Sequence, residues 1–172
     1  MAELTYRERL QPSLLDRLTD DQRDQSQESR LDRVISPSRL RECVRRDLVW
    51  LFNTTNLSSL KSEINEYPLV AQSTLNYGLP DLAGHTVMSI DVVSIERLLR
   101  NAIWSFEPRL IRNSVQVRLD VALDEMTHNA MTFTIEAELW AQPLPLRLYF
   151  KTGIDLETGE ATVEEVGKGQ RG

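Results

Sequence analysis

Glu107-Pro108-Arg109 sets a carboxylate and a guanidinium on either side of a proline, where one hydrophobic period gives way to another. Two kinds of chemistry are open to such a triplet: an ion pair, and proton transfer by Glu107. A glycosidase needs two carboxylates flanking a sugar, and Asp81 is the residue that would accompany Glu107. The neighbouring Arg109 argues against that use, because a guanidinium lowers a carboxylate pKa where a general acid needs it raised. The triplet therefore reads as an ion-pair or docking device.

Other chemistry is sparse. His85 and His128 fall in loops with no Cys or carboxylate cluster at ligand spacing, so no metal is expected. There is no G-x-S-x-G, P-loop or G-x-G-x-x-G, and no cofactor or small-molecule substrate is expected. Cys43, the single cysteine, falls in a helical apolar stripe and reads as a small core residue. Arg41, Arg45, Arg97 and Arg100 have no aromatic residue closely interleaved to stack bases, so nucleic acid is not an expected partner.

The elements that must position the triplet follow from periodicity. Ile95, Leu98, Leu99, Ala102, Ile103 and Phe106 have the three-and-four spacing of a helix entered near Asp91. Pro108 disfavours helical geometry at Glu107, so that helix should end near Phe106. An earlier helix opens with Ser36 as N-cap and Pro37 in its first turn. It buries Leu40, Val44, Leu48 and Leu51, flanked by Cys43, Val49 and Phe52, puts Arg41, Arg45 and Arg46 on its outer face and ends at Asn53 to Asn56. Residues 57 to 90 are irregular, apart from a short helix from Pro68 to Thr74 or Leu75 and a fixed loop at 76–81.

Beyond Arg112 the period drops to two, predicting strands at about 114–124 and 131–141, then a third carrying Leu146, Leu148 and Phe150. A hairpin at Glu157-Thr158-Gly159 leads to a fourth, Ala161 to Val166. Helices first and an antiparallel meander last predict an α+β domain over 37–166, with N-terminal helices packed on a C-terminal β-meander. Residues 167–172 read as a flexible tail.

Residues 1–36 read as a mobile leader with a short leucine helix. Ser13 to Asp16 has helix-start spacing, Leu14, Leu15 and Leu18 form one apolar ridge, and Thr19 to Arg33 is nearly devoid of apolar residues. The ridge is either a docking peptide or a strap across its own domain. Thr162 marks the last strand as an edge that a partner strand could extend.

The 172 residues, 41% apolar and 27% charged, suit one water-soluble domain. Nothing approaches a membrane span, the N-terminus has no apolar signal region, and a lone cysteine excludes an internal disulfide framework, which together favour the cytoplasm. The net charge of −6 is unevenly placed: five arginines and two acids between Ile95 and Arg118, then ten acids against Arg147 and Lys151 from Asp120 to Glu165. Such asymmetry suits docking between charged partners.

The ordered set N-Y-G-L-P-D at 76–81, I-E-R-L-L-R-N-A-I at 95–103 and E-P-R-L at 107–110, with P-S-L-L-D-R-L-T-D-D at 12–21, resembles the TssE family. These are baseplate proteins of type VI secretion systems, similar to the wedge protein of contractile-phage baseplates, and the fold family carries a lysozyme-like label. The resemblance implies a structural wedge component, not an enzyme. It would meet other wedge proteins and sheath subunits on an inner-membrane-docked apparatus without entering the membrane, and Glu107, Pro108 and Arg109 would be the family's E-P-R motif. The alternative is a peptidoglycan-cleaving lysozyme-like enzyme. Because the helical stripe runs up to Phe106, the chain should still turn at Pro108 and the Glu107 and Arg109 side chains diverge. At least one partner would then come from a neighbouring sheath or wedge subunit.

Overall fold

The computed structural model describes residues 13–18, 36–60, 62–71, 73–84, 91–120, 130–140 and 145–166. The rest of the leader, both histidines, residues 121–129 and residues 167–172 lie outside the described residues.

Ser13 caps a short helix, α1 (Leu14–Leu18), exchanging hydrogen bonds with Asp16 in a capping box that has Asp where Glu is usual. The Ser36 hydroxyl accepts from the Arg39 N–H at 3.1 Å, and Pro37 fills the first turn, where its missing donor costs nothing. This starts α2 (Pro37–Phe52), which buries Leu40, Cys43, Val44, Leu48, Leu51 and Phe52. The next segment is more helical than its irregular pattern suggests: α3 (Leu57–Leu60), a 3-10 turn at Ser62–Glu66, α4 (Pro68–Ala71) and a 3-10 turn at Thr74–Asn76. The helix begun at Pro68 does not reach Thr74, because Ser73 recaps the chain there with its hydroxyl on the Leu75 N–H.

Asp91 caps α5 (Val92–Phe106) by accepting from the Val93 N–H, and Ile95, Leu99, Ala102 and Ile103 are buried along it. Its last residue is Phe106, as the proline requires. The chain then forms β1 (Gln116–Leu119), β2 (Ala130–Leu139), β3 (Leu146–Asp155) and β4 (Ala161–Glu165), an antiparallel sheet in the order β1-β2-β3-β4. The first strand starts later than its alternation suggests. Arg112–Ser114 is a 3-10 turn, and the Ser114 hydroxyl donates to the Ile111 carbonyl at 2.6 Å, curling the chain before the strand can begin.

Met131, Phe133, Ile135, Ala137 and Leu139 alternate inward on β2, and Leu148, Phe150 and Ile154 do so on β3. α2 rests on β3 and β4, α5 rests against β1, and the two helices touch. The result is the expected α+β arrangement, one sheet with helices gathered over its apolar face.

The 76–81 loop is fixed by close backbone approach. Leu79 N–H donates to Thr54 O and Asn56 N–H donates to Leu79 O, each at 2.8 Å. Gly78 has φ +116°, and a Cβ there would stand 2.0 Å from the Thr54 oxygen. Gly78→Ala should therefore lower stability by about 3 kcal/mol or more, read as a lower denaturant midpoint with unchanged slope. A loss under about 1 kcal/mol would show that the loop can move aside.

Candidate functional site

The E-P-R corner is built by three elements. The Glu107 N–H closes α5 on the Ile103 carbonyl at 2.9 Å, and Leu110 N–H returns to Glu107 O at 3.2 Å, so the chain does turn around Pro108. Trp140 N–H then donates to Arg109 O, and Ile111 N–H to Glu138 O, each at 2.8 Å, stitching the corner to the end of β2.

Within this turn the Glu107 and Arg109 side chains do not diverge. Arg109 Nε donates to Glu107 Oε1 at 2.7 Å, and Nη2 donates to Oε2 at 2.5 Å. The Arg109 backbone N–H also reaches Oε1 at 3.2 Å, which folds the carboxylate back over its own turn. The divergence expected from the turn fails because the guanidinium stem is long enough to follow the backbone around it. Glu107 is 4% exposed, so the pair is internal to the fold.

Two carboxylates that no motif contains complete the cluster. Arg109 Nη2 also donates to Asp47 of α2, and Nη1 lies 4.0 Å from Asp16 of the leader. Arg46 bridges the same two acids, donating to Asp16 and Asp47 at 2.7 Å each. Three carboxylates thus surround two guanidinium groups. Burial opposes the Arg109 charge, but Glu107 and Asp47 outweigh it and hold the group protonated at any working pH. The sequence signal was an acid at 47 bordering the buried stripe of α2; Asp16 was legible only as a cap.

Asp16 ties the leader to this site. Burial pushes its carboxyl up, but hydrogen bonds from Ser13, Arg46 and Cys43, with the Arg46 charge, outweigh it and hold it below the ordinary 3.8. A carboxylate lowered in this way contributes stability that is complete above its unfolded value and lost as pH falls through the folded one. Leader docking should therefore weaken only in strong acid. Cys43 is buried against Asp16; burial first, then the hydrogen bond and charge of Asp16, push its thiol up to about 11.

Around the cluster, Leu15, Trp50, Tyr77, Phe106 and Pro108 wall a cavity of about 330 Å³. Arg46 lies over the Trp50 ring at 4.9 Å, leaving Trp50 49% exposed, and Tyr77 meets Phe106 edge to face at 5.1 Å. Leu14 and Leu18 are exposed at 72% and 74%. Asp81, the other half of a forced acid pair, lines a separate depression with Phe52 and Leu79.

Thr162 lies on the edge strand, but its backbone points inward. Asp155–Glu160 and Tyr149–Val166 are hydrogen-bonded pairs, so by alternation Thr162 pairs with Gly153 and the outward groups belong to Ala161, Val163 and Glu165. Three of those groups are already held. Asn53 accepts from Ala161 N–H at 2.9 Å and donates to Ala161 O at 2.7 Å, while Arg45 donates to Val163 O at 3.1 Å. Arg41, Arg45 and Arg46, expected on an outer face, instead turn to Glu165, to Glu42 and β4, and to the corner. On the opposite edge, Glu96 of α5 accepts from Leu119 N–H at 2.8 Å.

Among the described residues no group of His, Cys, Asp and Glu could hold a metal, and no helix is long and apolar enough to cross a membrane. A family model described as baseplate wedge protein gp25 matches residues 38–144, more than half of the chain. The matched span holds α2, α5, the corner, β1 and β2, and stops before β3. No curated protein and no solved structure matches the chain.

Arg109→Ala leaves Glu107 buried beside other acids, and it should cost about 3–5 kcal/mol by denaturant unfolding. A cost under about 1 kcal/mol would mean that water already screens the cluster. Asp16→Asn removes the hydrogen bond and charge that add to burial in holding the Cys43 thiol up, and one anchor of the leader. Iodoacetamide labelling of Cys43 at mildly alkaline pH should quicken about tenfold for each unit by which the thiol pKa falls. Unchanged labelling would show that the leader turn does not guard Cys43.

Proposed function

The chain belongs to the baseplate wedge protein gp25 family, and on that premise we propose that it is a structural component of a type VI secretion baseplate. In this reading it docks other wedge proteins and seats the first ring of the contractile sheath. It works in the cytoplasm, on an apparatus docked at the inner membrane.

The observation that carries the docking reading is the surface of the corner. A half-exposed Trp50 and Leu15 line a cavity together with ion-paired Glu107 and Arg109, and Leu14 and Leu18 are exposed on the same short helix as Leu15. An aromatic anchor beside a fixed, partly desolvated guanidinium is how protein interfaces concentrate their binding energy, and the leucines add apolar area around it. The internal pairing changes how the corner serves a partner. Glu107 and Pro108 shape the turn, Arg109 braces it, and the contact surface is the apolar rim together with Pro108, which is exposed.

Catalysis is not part of this reading. Both Glu107 oxygens accept from Arg109, so the carboxylate is engaged within the fold. Sheath strands adding to β4, the strand of Thr162, would first have to displace Asn53 and Arg45. Thr162→Pro would break the internal pairing with Gly153, whereas Ala161→Pro removes the outward N–H that Asn53 accepts.

Trp50→Ala and Leu15→Ala test the docking surface while leaving each ion pair of the cluster in place, Trp50→Ala also removing the ring under Arg46. Each should shift stability by about 0.5 kcal/mol or less yet weaken capture of wedge partners by about 2 kcal/mol, read by pull-down against the products of neighbouring genes and by sheath assembly in cells. Normal capture and assembly by both folded variants would overturn the proposal.

A further inference from the structure

The arginines of this chain divide by partner. Arg41, Arg45, Arg46 and Arg109 each pair with a carboxylate. Arg97, Arg100 and Arg112 form no ion pair among the described residues, although Arg97 is close enough for its charge to be felt at Asp91. Arg97, Arg100 and Trp104 share one face of α5 by the three-and-four rule, opposite the buried Ile95, Leu99 and Ile103.

Trp104 organises the unpaired set. The Arg100 guanidinium lies over its ring at 5.4 Å and that of Arg112 at 4.9 Å. The indole N–H donates to Arg112 O at 2.8 Å, which pins the 3-10 turn after the corner to the helix. Arg100 Nε is buried with no hydrogen-bond partner. Two cations held over one ring repel each other, and a buried donor left open forfeits the hydrogen bond it would make to water. An anion placed on this face would relieve both.

We infer that the Arg97, Arg100, Trp104 and Arg112 face is a second docking surface, for an acidic polypeptide segment of a partner protein. The chemistry favours carboxylates over nucleic acid. Guanidinium forks take a carboxylate bidentately, whereas the Trp104 ring, already covered by guanidinium groups, offers little free surface for a base to stack on. The cation inventory fits as well, with seventeen arginines and three lysines. This surface stands on different residues from the corner, and either could fail without the other.

The test is fluorescence anisotropy of labelled octaglutamate against the full-length protein at low salt. Parallel arms use a single-stranded oligothymidylate of equal charge and anionic phosphatidylserine vesicles. The variants are Arg100→Gln with Arg112→Gln, the same pair to Lys, and Arg147→Ala on the sheet as control, each with its melting curve. Octaglutamate should bind the wild type and the control alike. The Gln pair should weaken binding about tenfold or more at an unchanged melting temperature, and the Lys pair, which keeps charge without the fork, should fall between. No binding, or equal binding by the wild type and the Gln pair, would overturn the inference. So would tighter binding of the oligothymidylate or the vesicles through the same arginines. If the Gln pair melts early, Trp104→Phe gives the second reading. It keeps an aromatic ring but frees the Arg112 turn, and octaglutamate binding that does not weaken would count against the proposal.

Discussion

Arg109 needs acceptors for its donors in a place where water is scarce, and much of the local architecture answers that need. Its side chain reaches Glu107 at the end of α5, Asp47 in the middle of α2 and Asp16 in the leader, while its backbone oxygen accepts from Trp140 after β2. Three segments far from it in sequence, α2, the leader and the end of β2, are thus referenced to this one arginine. Arginine suits the task because its fork is planar and always charged, where a lysine would offer a single point charge. The cost of burying these charges is offset only while each keeps its partners, so the corner acts as one unit.

The same economy governs the edges of the sheet. An edge strand exposes unpaired N–H and C=O groups that invite another chain. Here helix-borne side chains occupy outward groups on both edges: Asn53 and Arg45 along β4, and Glu96 at Leu119 of β1. The helices therefore do more than cover the apolar face. Side-chain caps of this kind keep the backbone groups they occupy from pairing with another chain.

Function follows from what the charged groups are engaged in. Glu107 is engaged by Arg109 and Cys43 is a raised, buried thiol, so neither is poised for proton transfer or nucleophilic attack. Two of the solvent-facing surfaces are apolar or cationic: Trp50 and the leucine ridge on one side, and the arginines around Trp104 on another. A wedge protein is built to be held by neighbours, and surfaces of this kind are suited to that.

The sequence by itself determined the elements whose causes are local. Ser36 with Pro37 started one helix, Asp91 started the other, and Pro108 ended it at Phe106, because caps and proline geometry act within a few residues. Alternation of apolar residues set the inward faces of β2 and β3 for the same reason. Tertiary structure decided which charges meet. Asp47 and Asp16 stand 62 and 93 positions before Arg109, and no periodicity relates them. Whether Glu107 and Arg109 pair or diverge depended on a side chain following a turn, and whether the β4 edge is open depended on Asn53, a residue legible only as a helix end. Long, flexible polar side chains carry little positional information in their spacing. Their partners are fixed only once the backbone has brought distant segments within hydrogen-bond reach.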